Sequence, residues 1–258
     1  MTKLFLILTF LFHTALFADT DIIYDIRGYS PQLDANMTQF LDKWRINTVT
    51  PVQAGHYKNV IVNANTSRKN VTLTFDDAPD ENNTYKLLDI LKSHHVKAAF
   101  FMIGGTMVDS NITVVKRAND EGHLVLNHTF NHPRLTDLDE NNITYQLGLA
   151  AARIETITGH YPILYRPPYG SINARVLNTV NDQGMTTVLW SLDSLDWTLK
   201  DPNAVVENVA DNVRNGDIIL MHRNPTSVAA LPGVIEKLME MGYTFLRLDE
   251  LLGIKPYR

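Results

Sequence analysis

The sequence contains no cysteine, and this absence limits both covalent cross-linking and metal chemistry. Disulfide bonds and thiolate ligands are excluded, so any bound transition metal must be held by His, Asp or Glu. The chain also lacks a long run of Lys or Arg, and its formal net charge is −5. Nucleic-acid binding is therefore not expected, because neutralising phosphates requires clustered basic side chains. No Pro-, Gly- or Ser-rich linker interrupts the chain, which favours a single domain.

Long apolar runs are scarce, with one exception near the N-terminus. Lys3 precedes an almost continuously apolar run, 4–17, which ends at Ala18 before a polar stretch. This pattern predicts a signal peptide over residues 1–18, with an uncleaved anchor as the alternative. No other run is long enough to cross a bilayer, so we expect no membrane span after cleavage and a secreted or periplasmic location. Residues 19–70 are predicted to form an N-terminal extension of a main domain, 71–258; the sequence does not indicate an oligomeric state.

From residue 71 onward, short apolar or β-branched runs alternate with longer helix-like segments. The predicted strands are Val71–Phe75, Ala98–Ile103, Leu124–Asn127, Ile163–Arg166, Thr187–Ser191, Asp217–Met221 and Tyr243–Leu248. The predicted helices are Asn83–His94, Ile112–Asp120, Glu140–Thr158, Ser171–Gln183, Pro202–Arg214 and Ser227–Met241. Strands separated by helical crossovers predict an α/β fold with a parallel sheet, either a barrel or a doubly wound sheet. The barrel is favoured, because chemically versatile residues follow several different strands.

Two clusters of chemically versatile residues at strand ends carry potential metal ligands. Asp76 and Asp77 end the first predicted strand, so one carboxylate can bind a metal while the other acts as a base; a solvated turn is the alternative. His128 and His132 follow the third strand and are expected to share one side of a helical turn. A pair at this spacing can arise by chance among nine histidines. Together with Asp77, however, the pair makes a plausible catalytic zinc site.

Three further clusters follow later strands. Arg166 precedes two prolines, Tyr169 and Gly170, which predicts either a stiff loop whose Arg holds a carboxylate or a plain rigid connection. The segment 193–197 contains two aspartates and a tryptophan, and His222 ends the sixth strand. A His oriented by a neighbouring carboxylate suits a general acid, whereas a lone His more often caps or packs. Five such clusters on five strand ends favour a catalytic site over chance.

Taken in order, these five clusters resemble the motifs of the polysaccharide deacetylases with a NodB-homology domain, carbohydrate esterase family 4. The stretch from Gly122 to Pro133 is especially similar, and the resemblance covers Val71 to Leu252. It implies a distorted (β/α)7 barrel, in agreement with the strands counted independently. It also implies a metal-dependent enzyme that removes acetyl groups from a polysaccharide.

The resemblance assigns a role to each motif. Asp76 is expected to be the general base, oriented by Arg166, and His222 the general acid, oriented by Asp196. The expected metal ligands are Asp77, His128 and His132. The metal is expected to be Zn²⁺, with Co²⁺, Ni²⁺ or Mn²⁺ as alternatives. The residues expected to contact substrate are Pro168, Tyr169 through its backbone N–H, Trp197 and Leu220.

The expected substrate is a cell-envelope polysaccharide, with N-acetylglucosamine residues of peptidoglycan preferred. Tyr169 supports this choice, because some relatives that act on N-acetylmuramic acid have Arg at the matching position. Chitin-like, xylan or exopolysaccharide substrates remain alternatives. Two other classes are a catalytically silent carbohydrate-binding module and an amidase for small cyclic amides. All the expected catalytic residues are present, which argues against the silent module.

Overall fold

The computed structural model describes residues 23–57 and 59–258. The predicted signal peptide, residues 1–18, lies outside the described residues. Strands are found at β1 Val60–Ile61, β2 Asn70–Ala78, β3 Ala99–Met102, β4 Leu124–Asn127, β5 Leu164–Tyr165, β6 Thr186–Val188, β7 Leu192–Asp193, β8 Ile218–His222 and β9 Thr244–Phe245. The α-helices are α1 Ala35–Gln53, α2 Asn83–Ser93, α3 Asn111–Asp120, α4 Glu140–Thr158, α5 Ala174–Asp182, α6 Pro202–Asn212, α7 Pro225–Glu240 and α8 Leu248–Leu252.

These strands form one parallel sheet in the order β1-β6-β5-β4-β3-β2-β8-β7, with β9 pairing with β2. Every predicted strand is therefore present, and the predicted parallel arrangement is confirmed. The longest strand, β2, is central and pairs with β3 on one side and with β8 on the other. Because parallel strands end at the same edge of a sheet, residues that follow β2, β3, β4, β5 and β8 are brought together there.

The fifth predicted strand, Thr187–Ser191, is a strand only in its first part, β6, and a separate strand, β7, begins just after it at Leu192. Thr187 in β6 aligns beside β5 and β1, whereas Leu192 in β7 pairs with β8. The three residues between β6 and β7 carry the chain from one end of the sheet order to the other. The backbone N–H of Ser191 donates to the carbonyl oxygen of Ile218 at 3.1 Å, an ordinary hydrogen-bond distance. The result is the distorted barrel that the sequence predicted, rather than a doubly wound sheet.

The predicted N-terminal extension contributes to the barrel in two ways. Its strand β1 lies beside β6, with Val60 aligned to Thr187. Its helix α1 begins at an N-cap, Asp34, whose side chain accepts a hydrogen bond from the Met37 N–H. Leu41 and Val49 are buried in the two main hydrophobic clusters, so α1 is anchored to the barrel by its apolar side.

The outer helices follow from amphipathic spacing and from glycine at their ends. In α7 the buried apolar residues recur at helical spacing: Ala230, Leu231, Val234, Ile235 and Leu238. Helix α4 ends at Gly159, which has a φ of +78° in the left-handed region that glycine adopts without strain. Within the described part of the chain, no helix has the length and apolarity that crossing a membrane requires.

Candidate active site

Two adjacent carboxylates at the end of β2 reach the same cavity because the strand is irregular there. Successive side chains of a regular strand point to opposite faces. The pairing of β2 with β3 shifts register between Asp76 and Ala78, and Asp77 has a φ of +69°. This bulge turns Asp77 out of the alternation, so both Asp76 and Asp77 line one cavity.

Asp76 is fixed by a fully buried arginine. The Nη1 atom of Arg166 donates to Oδ1 of Asp76 at 2.8 Å and to the hydroxyl of Thr74 at 2.8 Å. The other guanidinium nitrogens donate to the backbone carbonyls of Val188 and Leu189 at 3.2 and 2.9 Å. Burial lowers the pKa of Arg166, and the Asp76 charge opposes that change. One oxygen of Asp76 is thus held, while Oδ2 remains directed toward His128 Nε2 at 3.8 Å.

His128 and His132 lie on an irregular loop, so the expectation of a helical turn was wrong. The segment after β4 is non-helical, and both Thr129 and His132 have positive φ values, 66° and 57°. The hydroxyl of Thr129 accepts the His132 N–H at 3.1 Å. Oε1 of Gln146 on α4 accepts the N–H groups of Phe130 and Asn131. Side-chain acceptors therefore replace the backbone bonds of a helix and hold both imidazoles toward Asp77.

Asp77, His128 and His132 form a compact donor set. Oδ1 of Asp77 lies 3.5 Å from Nε2 of His128 and 3.1 Å from Nε2 of His132. Nδ1 of His128 lies 2.8 Å from the carbonyl of Arg166, which only a protonated Nδ1 can satisfy as donor. In the neutral ring Nε2 then keeps its lone pair and points it into the site.

The electrostatics of this set fit a divalent cation. Burial alone would raise the pKa of Asp77, but the contacts with His128 and His132 outweigh it and hold that pKa well below its usual range. Asp77 is therefore ionised, and when both imidazoles are neutral with Nε2 unprotonated, its buried Oδ1 has no donor from which to accept a hydrogen bond. A carboxylate and two imidazole nitrogens facing one another are electron-pair donors that repel unless a cation lies between them. This donor set suits Zn²⁺ and also other first-row divalent metals.

His222 and Asp196 form a second, hydrogen-bonded pair. Nδ1 of His222 lies 2.8 Å from Oδ1 of Asp196, and the backbone N–H of His222 donates to Oδ2 at 2.6 Å. The hydroxyl of Ser227 also donates to Oδ2. Burial would lower the pKa of His222, but the negative charges of Asp196, Asp76 and Asp77 raise it to about 10. The imidazole is therefore protonated near neutral pH.

These groups surround one cavity of about 350 Å³. The lining residues come from the barrel and from α1: Phe40, Leu41, Trp44, Asp76, Asp77, His128, His132, Arg134, Tyr169, Trp190, Asp193, Trp197, Leu220 and His222. Of the expected substrate-contacting residues, Tyr169, Trp197 and Leu220 line the cavity. Pro168 is buried in the turn beside Tyr169 and is not among the lining residues. Arg166 and Asp196 lie behind the wall and act on the residues that face the cavity.

Several residues at the site carried no assigned role in the sequence. Asp193 is buried and accepts hydrogen bonds from the Leu195 N–H at 2.8 Å and the Trp197 indole N–H at 3.2 Å. Burial raises its pKa to about 6. The hydroxyl of Ser227 donates to Asp196 and that of Thr74 accepts from Arg166, and no spacing pattern distinguishes either residue from other hydroxyl residues. Trp44 lies far from every motif in sequence, so only the packing of α1 reveals it.

Comparison with known proteins agrees with this geometry. The family model described as polysaccharide deacetylase matches residues 63–188. The chain is 36% identical over 190 residues to the peptidoglycan-N-acetylglucosamine deacetylase PgdA of Listeria monocytogenes, covering 73% of this chain and 40% of that relative. It is 33% identical over 220 residues to the peptidoglycan-N-acetylmuramic acid deacetylase PdaA of Bacillus subtilis, covering 81% of this chain and 83% of the relative.

The fold is also shared with a solved structure. The Bc1960 peptidoglycan N-acetylglucosamine deacetylase, in complex with 4-naphthalen-1-yl-N-oxidanyl-benzamide, superposes with a TM-score of 0.75 at 32% identity. The match covers 80% of this chain and 97% of that chain. A parallel α/β barrel with a paired-carboxylate, two-histidine site defines a hydrolase scaffold. The chain belongs to the polysaccharide deacetylase family, carbohydrate esterase family 4, as its motifs indicated.

Proposed function

We propose that this protein is a metal-dependent hydrolase that removes N-acetyl groups from N-acetylglucosamine residues of peptidoglycan outside the cytoplasm. The observation that carries the proposal is the position of Asp76 and His222, which are register partners on adjacent strands. The donor set of Asp77, His128 and His132 opens into the same cavity. A base, an acid and a cation site around one cavity can together carry out the hydrolysis of an amide.

The first half of the reaction falls to Asp76. Arg166 occupies Oδ1 of Asp76, and the second oxygen is available to accept a proton from a water molecule in the cavity. That water adds to the carbonyl carbon of the acetyl group as its proton moves to Asp76. A divalent metal held by Asp77, His128 and His132 supplies Lewis acidity when it is bound.

The second half of the reaction falls to His222. Breaking the bond between the acetyl carbon and the sugar nitrogen requires protonation of that nitrogen, because an amide anion is a poor leaving group. The raised pKa of His222 keeps its proton in place near neutral pH, and Asp196 holds Nδ1 so that Nε2 donates. The products are acetate and the free amine of the sugar.

Tyr169 is placed to stabilise the negative charge that develops on the acetyl oxygen. Its φ is +61°, and within the described residues its backbone N–H makes no hydrogen bond. Because Tyr169 lines the cavity, we assign this N–H as the oxyanion donor. One such donor contributes about 3 kcal/mol of transition-state stabilisation. Leu220 and Trp197 offer apolar surface for the acetyl methyl group.

The choice of substrate rests on the relatives. PgdA and Bc1960 are named for N-acetylglucosamine of peptidoglycan, and PdaA for N-acetylmuramic acid. The chain spans less than half the length of PgdA, so whole-protein properties of that relative do not transfer. Tyr169 in place of an Arg favours N-acetylglucosamine.

Acetate release by the purified protein tests the proposal. The substrates are peptidoglycan fragments, chito-oligosaccharides and acetylated xylan, each assayed with chelator and after re-addition of Zn²⁺. We expect chelator-sensitive acetate release from the first two, and none from Asp76→Asn. His56→Ala, which alters an exposed His away from the cavity, should match the wild type. Acetate release from xylan alone would show that the substrate is xylan and not peptidoglycan. A folded, metal-loaded protein that releases acetate from none of these glycans would favour a silent binding module.

A further inference from the structure

Helix α1 supplies one wall of the cavity although it lies outside the family-matched segment, 63–188. Its residues Phe40, Leu41 and Trp44 all line the cavity. Trp44 does more than fill space, because it contacts the turn Pro168–Gly170 from which Tyr169 faces the site.

Three contacts join Trp44 to this region. Its indole N–H donates to the carbonyl oxygen of Tyr169 at 3.1 Å. Its ring stacks on Trp190, with the ring centroids 5.2 Å apart and the planes 15° apart. A Cβ added to Gly170 would approach the Trp44 ring to 2.6 Å, so the indole lies directly against the backbone of the turn.

The backbone of this turn needs such support. A φ of +61° is uncommon for a residue that has a Cβ atom, and it costs free energy that the surroundings must offset. The N–H and the carbonyl of Tyr169 belong to neighbouring peptide planes, and a hydrogen bond to the carbonyl restricts rotation of the residue. The Tyr169 ring also contacts the His132 ring, with centroids 4.8 Å apart, which links the turn to the cation site.

We propose that Trp44 is a positioning residue for deacetylation. Through its hydrogen bond to the Tyr169 carbonyl, it holds the backbone of Tyr169 so that the N–H of Tyr169 points at the oxyanion. This inference rests on the proposed function, and it adds to the site a side chain from a helix that the family match does not include. Its effect falls on the transition state, where the charge on the acetyl oxygen is greatest.

Kinetics on chito-oligosaccharides separate positioning from simple packing. Trp44→Phe keeps an aromatic ring but removes the donor, and we expect kcat to fall about tenfold with KM nearly unchanged, since the lost interaction belongs to the transition state. Trp44→Ala removes the hydrogen bond, the stacking on Trp190 and the packing against Gly170, and kcat should fall about 100-fold. Ile46→Ala, an exposed residue on the same helix, is the matched control and should keep wild-type values.

Amide hydrogen exchange supplies a readout that does not depend on activity. In the peptide covering residues 166–172, exchange should rise in both Trp44 variants but not in Ile46→Ala. A Trp44→Phe protein with wild-type kcat and wild-type exchange in this peptide would overturn the inference. So would a parallel loss of melting temperature and activity without any local rise in exchange. If the wild type itself releases no acetate, the proposed function fails, and the exchange data still decide whether Trp44 holds the turn.

Discussion

Asp76 on β2 and His222 on β8 are aligned residue to residue across two adjacent parallel strands. The negative charge of Asp76 is among the causes that raise the pKa of His222 to about 10. Each of the two is also held from behind by an oppositely charged partner, Arg166 for Asp76 and Asp196 for His222. The strand pairing therefore sets the proposed base beside the proposed acid, and the buried partners keep their charge states apart.

Replacing the proposed base should abolish turnover without releasing the metal. Asp76→Asn keeps an oxygen that can accept from Arg166 but cannot accept a proton from water, so we expect kcat to fall about 1,000-fold. Because Arg166 is fully buried and loses its countercharge, the free energy of unfolding should also fall, by about 3 kcal/mol. Acetate release, zinc content and urea unfolding measure the three effects. Near-normal turnover would show that Asp76 is not the base.

The alkaline limit of activity should depend on Asp196. A group whose pKa is raised in the folded protein works as an acid below that pKa and fails as pH rises through it, which for His222 is about 10. Asp196→Asn removes the negative charge that contributes most to raising the His222 pKa. The alkaline limb of the pH profile of kcat/KM should therefore move down by about 2 pH units. Ser227→Ala removes a hydrogen bond but keeps the charge, and its limb should stay near that of the wild type. Identical limbs in the wild type and Asp196→Asn would rule out this role.

Zinc affinity should depend on the two loop histidines and not on histidine content as such. His132→Ala removes one of three donors and leaves Asp77 with fewer contacts, so we expect zinc affinity to fall by at least about 100-fold. His56→Ala removes an exposed imidazole and should bind zinc like the wild type. Competition with a chromophoric chelator measures both. Equal affinity in the two variants would place the metal elsewhere.

Asp193 should make stability depend on pH in the acidic range. Its pKa is about 6 in the folded protein because of burial, above the ordinary value of 3.8. The folded state then binds the proton more tightly than the unfolded state, so the free energy of unfolding falls as pH rises from about 4 to about 6. The loss attributable to this carboxyl is on the order of 3 kcal/mol, at about 1.36 kcal/mol for each unit of pKa difference.

Asp193→Asn tests this dependence, because its amide oxygen still accepts a hydrogen bond but does not titrate. Urea unfolding at several pH values should show a flatter profile for Asp193→Asn between pH 4 and 6. Asp211→Asn changes an exposed carboxyl on α6 and should leave the wild-type slope in place. Equal slopes in all three proteins would mean that Asp193 is ionised throughout this range.

The fold was largely predictable because its elements carry strong local patterns. Helix α4 begins and ends where the sequence predicted, between an Asp N-cap and Gly159. The end of β6 at Val188 and the separate strand β7 after it were not predictable, since continuous apolar runs do not reveal where the chain changes neighbours. The short helix α8 also lay partly inside a predicted strand, because five residues give too little periodicity to identify a helix.

The candidate site was also predictable only in part. Residues such as Asp77 and His222 follow strands directly, so their convergence could be deduced from a parallel sheet. The shape of the loop from His128 to His132 could not be deduced from the sequence, because its positive φ values are maintained by contacts with distant residues such as Gln146. Trp44 was missed for a related reason, since its partners are more than 100 residues away in sequence.

The sheet also ends in a way that affects how the protein behaves in concentrated solution. Within the described residues, the strands at the ends of the order, β1 and β7, are two residues long, and so is β9. A long unpaired strand edge is a template on which another polypeptide can add and begin aggregation. Here the long strand β2 is paired on both sides, and the outer edge of β7 is itself bonded to Arg27, which donates to the Ser191 carbonyl and accepts from the Asp193 N–H. We infer that the barrel resists intermolecular strand addition.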